Sequence, residues 1–163
     1  IIFILDNDKY LKTLEKYANE TNVLINYFVS YDFLMENSTY ITKLKNREIY
    51  NYGNDGEYTP DNIIFANNFI SRITNNEANY CLATDKSKKT IELCSDNNLL
   101  TISPELNIST NPYSKVTQNA KSGSIILLEL NNNTVTEFNM IVNYLKGKGL
   151  KIGGLSELLS EKL

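Results

Sequence analysis

The sequence predicts an α/β fold built on a parallel sheet. Short apolar runs alternate along the 163 residues with stretches whose apolar residues recur at helical spacing, which is typical of βα units. The segment Gly123 to Asn133 reads as a buried strand that runs directly into a polar loop. Seven such strands and seven helices in one domain's length of chain indicate a small (β/α) barrel or a doubly wound sheet.

Each predicted strand is a short run rich in apolar or β-branched residues and bounded by polar residues. The predicted strands are Ile1 to Leu5, Val23 to Val29, Glu48 to Asn51, Ala78 to Ala83, Leu99 to Ser103, Ser124 to Glu129 and Leu150 to Ile152.

The helices are predicted between these strands, and the one after Glu129 is the best marked. Thr134 is expected to cap it, with Glu137 three residues later as in a capping box, and Gly147 and Gly149 are expected to end it. The predicted helices are Lys9 to Glu20, Tyr31 to Lys45, Thr59 to Thr74, Ser87 to Asn97, Tyr113 to Lys121, Thr134 to Lys148 and Leu155 to Glu161.

Composition narrows the function classes. The net charge is −3 with acidic and basic residues interspersed, so the chain lacks the basic stripe that a nucleic-acid partner requires. No apolar run approaches the length of about 18 residues that a membrane span needs, and membrane insertion by this domain is not expected. Because residues 1–163 open with isoleucine inside a strand, we expect an upstream segment such as a signal or anchor in a longer chain.

The chain contains no histidine and two cysteines. The missing imidazole removes the commonest general base and the commonest zinc ligand. We expect Cys81 and Cys94 to be free, buried thiols, and a single bridge between them is the alternative.

From Gly123 onward, "GSIILLELNNNTVTEFNMIVNYLKGKGLKIGGLSELLSEKL" resembles the end of the polysaccharide deacetylase (NodB-homology) family. There a G-S-I-I-L-L-H-D strand leads through a Thr-capped helix to L-K-x-K-G-Y-K-I and L-S-E-L-L. Weaker similarities upstream are "NVLINYFVSYDFL", "KNREIYNYGNDGEY" and "FILDND", which sit where the family has A-T-F-F-V-x-G-x-x-L, G-H-E-I-x-N-H-S-x-x-H and T-F-D-D-G. The resemblance implies an incomplete (β/α)7 barrel of the NodB-homology type.

The family removes acetyl groups from sugar amines with a metal held by Asp-His-His and a second aspartate as base. In this sequence Asp6 falls on the base aspartate, but other positions of the apparatus differ. An arginine motif of the family is also absent, since that strand reads "YCLA". The resemblance therefore implies a degenerate site with no bound metal or cofactor. The altered positions are Asn7 for the metal-binding aspartate, Tyr52 and Gly56 for the two histidines, and Glu129 and Leu130 for the L-L-H-D histidine and aspartate.

The enzymatic alternative is a divergent hydrolase, either a reworked carbohydrate deacetylase or a haloacid-dehalogenase-like phosphatase. Glu129 is either a solvated carboxylate or part of an all-oxygen site for a hard cation with Asp6, Asp8, Asp55 or Glu57. The D-x-D of "FILDNDKYL" also resembles haloacid-dehalogenase phosphatases, with Asp6 as nucleophile, Asp8 as acid/base and Ser30 holding phosphate. Otherwise Asp6 and Asp8 are loop residues that cap the first helix.

Tyrosines are the remaining candidates for binding, because sugar faces stack on aromatic rings. The alternative for each is a half-buried ring with a bonded hydroxyl. The function implied by the resemblance is a non-catalytic, extracytoplasmic domain of the bacterial cell envelope or spore. Its partner would be a glycan, either peptidoglycan or chitin-like, or an envelope protein. The candidate glycan-binding residues are Tyr31, Tyr52, Tyr58 and Tyr113.

Overall fold

The computed structural model describes residues 1–44, 47–75, 77, 79–85 and 87–160. Its strands are β1 (Ile2–Leu5), β2 (Ile25–Val29), β3 (Arg47–Asn51), β4 (Tyr80–Leu82), β5 (Leu100–Ile102), β6 (Leu106–Ile108) and β7 (Ile126–Leu128). Its helices are α1 (Leu11–Thr21), α2 (Tyr31–Glu36), α3 (Ser38–Ile41), α4 (Pro60–Thr74), α5 (Lys88–Asp96), α6 (Pro112–Asn119), α7 (Asn132–Gly147) and α8 (Leu155–Ser160). Across these ranges no helix combines the length and apolarity that crossing a membrane requires.

Two parallel sheets form the centre of the fold. Five strands are hydrogen-bonded in the order β3-β2-β1-β7-β6, and β4 and β5 form a separate parallel pair. Within the described residues, no ladder joins β3 to β4 or β5 to β6. This open arrangement confirms the α/β fold and the incomplete barrel that the resemblance implied.

The strands pack apolar side chains on both of their faces. The larger cluster lies between the sheet and the helices, where Phe3 and Phe138 pack with ring centroids 6.4 Å apart. A second cluster fills the inside of the curved sheet, so the lumen is a packed core and not a channel. Its buried members are Ile2, Phe28, Tyr50, Tyr52, Leu82, Ile102, Leu127 and Leu155.

The C-terminal segment closes the lumen at the amino ends of the strands. The Asn26 side chain accepts a hydrogen bond from the Leu155 amide at 2.9 Å and donates to the Gly153 carbonyl at 3.2 Å. The Glu48 carboxylate accepts from the backbone amide of Ser156 at 3.1 Å, at the start of α8. A Cβ atom at Gly154 would overlap the Glu48 carboxylate, so a larger residue there would displace that side chain from its present position.

Several predicted elements differ in the structure. The predicted strand Leu150 to Ile152 is wrong, because this segment is irregular and leads into the closure of the lumen. Strand β6 was not predicted, and it pairs in parallel with β7. The predicted helix from Tyr31 is two short helices separated at Asn37. The predicted ends at Lys45, Ala78 and Glu161 lie outside the described residues.

The prediction of free thiols at Cys81 and Cys94 is wrong. A disulfide joins the two, with Cα atoms 6.4 Å apart, inside the normal range for such a bond. The bond connects β4 to α5, and both residues have no exposed surface. It therefore fastens the two-stranded sheet to its covering helix.

Helix α7 begins earlier than the Thr134 cap predicted. Asn131 is the capping residue, and its side chain accepts from the Thr134 amide at 3.0 Å. Thr134 is buried in the first turn. Glu137 does not complete a capping box, since its carboxylate accepts from the Tyr113 amide at 2.8 Å and so stabilises the start of α6.

Alkaline pH is expected to destabilise this fold through its buried tyrosines. Burial raises the pKa of Tyr27 far above 10, and nearby Glu15 reinforces this shift. Burial and the nearby Glu48 raise the pKa of Tyr50 in the same way. Burial also raises the pKa of Tyr58. Since an unfolded tyrosine ionises near pH 10, the unfolded state releases protons first, and the free energy of unfolding should fall as the pH rises above about 10. Urea midpoints measured from pH 8 to pH 11 test this. A midpoint that stays constant or rises over this range would contradict it.

Candidate functional site

The carboxyl ends of the first three strands place three polar side chains at one level. Side chains alternate between the two faces of a strand, and the even-numbered residues of β1 to β3 face the lumen. Ile4 pairs with Phe28, and Phe28 pairs with Tyr50. Two residues further on, Asp6, Ser30 and Tyr52 therefore lie side by side at the mouth, the opening of the barrel at the carboxyl ends of its strands. Asp6 and Tyr52 are about 10 Å apart across two strand spacings.

Glu129 and Leu130 lie on opposite sides of the sheet just after β7. Ile2 pairs with Leu127, so Glu129 stands at the level of Ile4, one layer below Asp6. Glu129 is exposed at the mouth, whereas Leu130 packs against the outer core. Of these two predicted positions, only Glu129 therefore faces the mouth.

Tyr52 occupies the space above Gly56. A Cβ atom on Gly56 would lie 3.0 Å from the Tyr52 hydroxyl oxygen and 3.2 Å from its Cζ atom. Gly56 also has a φ of +93°, a conformation that side-chain-bearing residues rarely adopt. The Gly56 amide donates to the Tyr52 carbonyl at 3.0 Å, which turns the loop back over the ring.

The Tyr52 phenol is neutral at physiological pH. Its pKa is raised chiefly by burial, with a hydrogen bond to Thr84 opposing the shift and the negative charges of Asp55, Asp6 and Asp85 reinforcing it. The side chain is 9% exposed. It is therefore a buried, hydrogen-bonded ring. Thr84, two residues after the end of β4, is a mouth residue that the sequence did not identify.

The side chains around Asp6 do not form a ligand set for a divalent metal. Asn7 donates from its amide nitrogen to the Asp6 carboxylate at 2.6 Å, and its amide oxygen accepts from the Lys9 backbone at 3.2 Å. A neutral phenol is a poor ligand for a cation. Over residues 1–44, 47–75, 77, 79–85 and 87–160, no group of three or more acidic or cysteine side chains is arranged to hold a metal ion.

The prediction that Asp6 and Asp8 cap the first helix is wrong. Both carboxylates are exposed, and α1 begins after Tyr10 with no side-chain cap. The Leu11 amide bonds instead to the backbone carbonyl of Asp8 at 3.1 Å. Ser30 is buried at 4% exposure, with its amide bound to the Leu5 carbonyl at 2.9 Å.

Tyr58 joins the two sheets where the barrel is open. Its hydroxyl donates to the Asn51 carbonyl at 2.8 Å, at the end of β3, and accepts from the Leu82 amide at 2.9 Å, in β4. The hydroxyl thus replaces the missing backbone ladder between these strands. Its ring is 6% exposed, so Tyr58 stabilises the fold and does not present a face to a ligand.

Replacing Tyr58 by phenylalanine is expected to lower the free energy of unfolding by about 1–3 kcal/mol, because a buried amide and a buried carbonyl lose their common partner. Urea denaturation measures this. Tyr40→Phe is the matched control, since Tyr40 is 39% exposed and its loss of a hydroxyl should change little. Equal midpoints for the two variants would contradict this role.

Tyr31 and Tyr113 are the other two tyrosines predicted to bind. Tyr31 begins α2 directly after Ser30, and its amide donates to the Gly53 carbonyl at 2.8 Å. It therefore borders the mouth loop, which is the segment 52–59 between β3 and α4. Its ring packs edge-on against Phe65 with centroids 6.0 Å apart. Tyr113 lies at the start of α6 and packs edge-on against Tyr144 of α7. Tyr31 is therefore tied to the mouth loop, while Tyr113 packs between two helices.

Solved carbohydrate esterases share this fold. The chain superposes on a CE4 family pseudoenzyme from Bacillus anthracis with a TM-score of 0.80 and 18% identity, covering 97% of this chain and 63% of that one. A mutant of that protein is described as having restored enzymatic activity. PdaA of Bacillus subtilis, a family 4 carbohydrate esterase, gives 0.82 and 16% identity over 99% of this chain and 80% of its own.

A peptidoglycan N-acetylglucosamine deacetylase, Bc1960, gives a TM-score of 0.80 at 14% identity, covering 96% of this chain and 85% of that chain. No family model and no curated protein matches the sequence. The chain thus has the fold of family 4 carbohydrate esterases and spans less than two thirds of the pseudoenzyme's length.

Proposed function

We propose that this chain is a non-catalytic domain with a polysaccharide-deacetylase fold that binds glycan at the bacterial cell envelope or spore. The observation that carries the proposal is the Tyr52 ring lying over Gly56, where the resemblance places two metal-binding histidines. A metal-dependent deacetylase needs a divalent ion to polarise the carbonyl and to deliver water. A neutral phenol, a glycine and the amide of Asn7 supply no charge to hold that ion.

The solved structures support the proposal that a protein can keep this fold without catalysing the deacetylation reaction. One of them is described as a pseudoenzyme, so this architecture does not by itself imply catalysis. Others are described as acting on peptidoglycan or as family 4 carbohydrate esterases, which makes a glycan the natural ligand class for the proposal.

The disulfide supports an extracytoplasmic location. Such bonds persist mainly in oxidising compartments, and thiols in the cytosol are kept reduced. Cys81 and Cys94 are joined and fully buried, so the bond is part of the packed interior. A domain of the cell envelope or spore would fold under such conditions. An envelope protein is the second class of partner in this setting.

Sedimentation with insoluble polysaccharide tests the binding proposal. The purified protein is expected to be retained on peptidoglycan or chitin and released by soluble N-acetylglucosamine oligomers. Cellulose, which lacks acetamido groups, is the matched control. If the protein is retained on none of the polysaccharides and instead captures a defined envelope protein, its partner is a protein and the glycan-binding proposal is wrong.

Metal content and turnover test the loss of catalysis. The protein is expected to carry no stoichiometric divalent metal and to leave acetylated chito-oligosaccharide and a generic phosphate ester intact. Asp6→Asn is the diagnostic variant, because Asp6 is the base of the deacetylase alternative and the nucleophile of the phosphatase alternative. Turnover that Asp6→Asn abolishes would establish a divergent hydrolase and overturn the proposal.

A further inference from the structure

Helix α4 carries apolar and aromatic side chains on the face that should be polar. Its inner face buries Ile63, Ala66 and Ile70 against the sheet. On the opposite side Ile64 is 57% exposed and Phe65 is 55% exposed. The inner face supplies the core contacts of the helix, so Ile64 and Phe65 lie outside the core.

A groove runs between this outer face and the start of α2. Its volume is about 620 Å³, within the range of about 300–1,000 Å³ that is usual for small-ligand sites. The Tyr31 and Phe65 rings pack edge-on at an interplanar angle of 62° and form one wall, with Phe69 beside them. The exposed ring of Phe65 thus has a fixed neighbour and a defined orientation.

Polar side chains line the same groove at helical spacing. Asp61, Asn68 and Arg72 lie on the Phe65 side of α4, and Asn54 lies on the mouth loop. Their side chains make no hydrogen bond or ion pair with the described residues, so their bonding capacity is directed to solvent. Asp61 and Arg72 are separated by eleven residues, or about 16 Å along the axis, and their charges cancel.

We propose that this groove binds a chain of neutral pyranose sugars bearing N-acetyl groups. The inference rests on the proposed glycan-binding function and gives it a location outside the mouth. A sugar ring presents an apolar face, which Phe65 and Tyr31 can cover, and a polar edge, which amides such as Asn54 and Asn68 can hydrogen-bond. The acetamido group both donates and accepts hydrogen bonds, as the asparagine side chain does.

The groove suits a sugar chain better than a folded protein. A stable protein interface buries about 800 Å² and about 20–30 residues on each partner, whereas ten of the described residues line this groove. The groove is also continuous with the mouth, since Tyr31 bonds to Gly53 and Asn54 follows it in the loop. A sugar chain held here would therefore reach the mouth without a break.

Titration with the soluble tetramer of N-acetylglucosamine tests the site. Phe65→Ala is expected to weaken the Kd about tenfold, and Phe65→Tyr is expected to restore affinity to within about twofold, because an aromatic ring is kept. Met140→Ala is the matched control, since Met140 is 53% exposed on α7, away from the groove, and its loss should leave the Kd unchanged. Circular dichroism verifies that each variant is folded.

The outcomes separate this inference from the proposed function. If Phe65→Ala and Asn68→Ala bind the tetramer as tightly as the natural chain, while Tyr52→Ala does not, glycan is bound at the mouth and the groove proposal is wrong. If the natural chain binds neither the tetramer nor insoluble polysaccharide, both proposals fail. Envelope-protein capture that Phe65→Ala abolishes would also overturn the groove as a sugar site.

Discussion

Replacing Cys81 and Cys94 together by alanine is expected to lower the free energy of unfolding by about 3 kcal/mol. The bond spans a sequence separation of 13 residues, and its main effect is to restrict the unfolded chain. Both residues are fully buried, so the alanines also leave a small cavity. The structural consequence should concentrate in β4, β5 and α5, which no backbone ladder joins to the five-stranded sheet within the described residues.

Urea denaturation of the natural chain and the double variant, each with and without reductant, measures this loss. The natural chain should be destabilised by reductant, whereas the double variant should be indifferent to it. Hydrogen exchange should accelerate first in β4 and β5, because the remaining links to the main sheet are side-chain contacts, such as the hydrogen bonds of Tyr58 and of Tyr52 with Thr84. A natural chain whose urea midpoint ignores reductant would contradict the contribution of this bond.

The strands that lie within longer apolar runs of the sequence could be predicted. Strands β1, β2 and β7 lie in the mainly apolar segments "IIFIL", "VLINYFV" and "SIILLEL", and such runs are typical of strands buried on both faces. Strand β6 was missed for the opposite reason. Its three residues, Leu106, Asn107 and Ile108, follow Pro104 closely and are too few to show a period. The predicted strand at Leu150 failed because an apolar run of that length serves equally well as an irregular segment covering a core.

The sequence predicted where the residues of the candidate site lie on the strands, but not which side chains they contact. The resemblance placed Asp6, Tyr52 and Glu129 on strand ends, and the pairing register brings them to one mouth at two levels. The hydrogen bond between Tyr52 and Thr84 depends on how β4 approaches β3 across an open gap, which no local pattern encodes. The disulfide was equally hidden, because a separation of 13 residues says nothing about distance in space.

The groove on α4 shows a second feature that sequence periodicity predicts only in part. Asp61, Phe65, Asn68 and Arg72 share one helical face that periodicity can identify, yet the partner wall is Tyr31 from another helix. Only the packing of α2 beside α4 turns these residues into a cleft. The sequence singled out Tyr31 as a possible sugar-binding residue, and its contact with Phe65 is what gives that residue a concave setting.

Replacing Leu155 by alanine is expected to lower the free energy of unfolding by about 2–5 kcal/mol, the range for a buried leucine whose site cannot collapse. Leu155 is 3% exposed and packs in the lumen cluster with Ile2 and Phe28. Its amide is held by Asn26, and the next residue bonds to Glu48, so the backbone is fixed on both sides and little relaxation is available.

Leu158→Ala is the matched control, since Leu158 lies on the same helix and is only partly buried. Urea midpoints should separate the two variants, and equal losses would show that the lumen does not depend on this closure. Because Leu155 acts at the amino ends of the strands, and Asp6, Tyr52 and the α4 groove lie toward the opposite end, the folded fraction of Leu155→Ala should bind the N-acetylglucosamine tetramer with an unchanged Kd. Stability and ligand binding would then be divided between the two ends of one barrel.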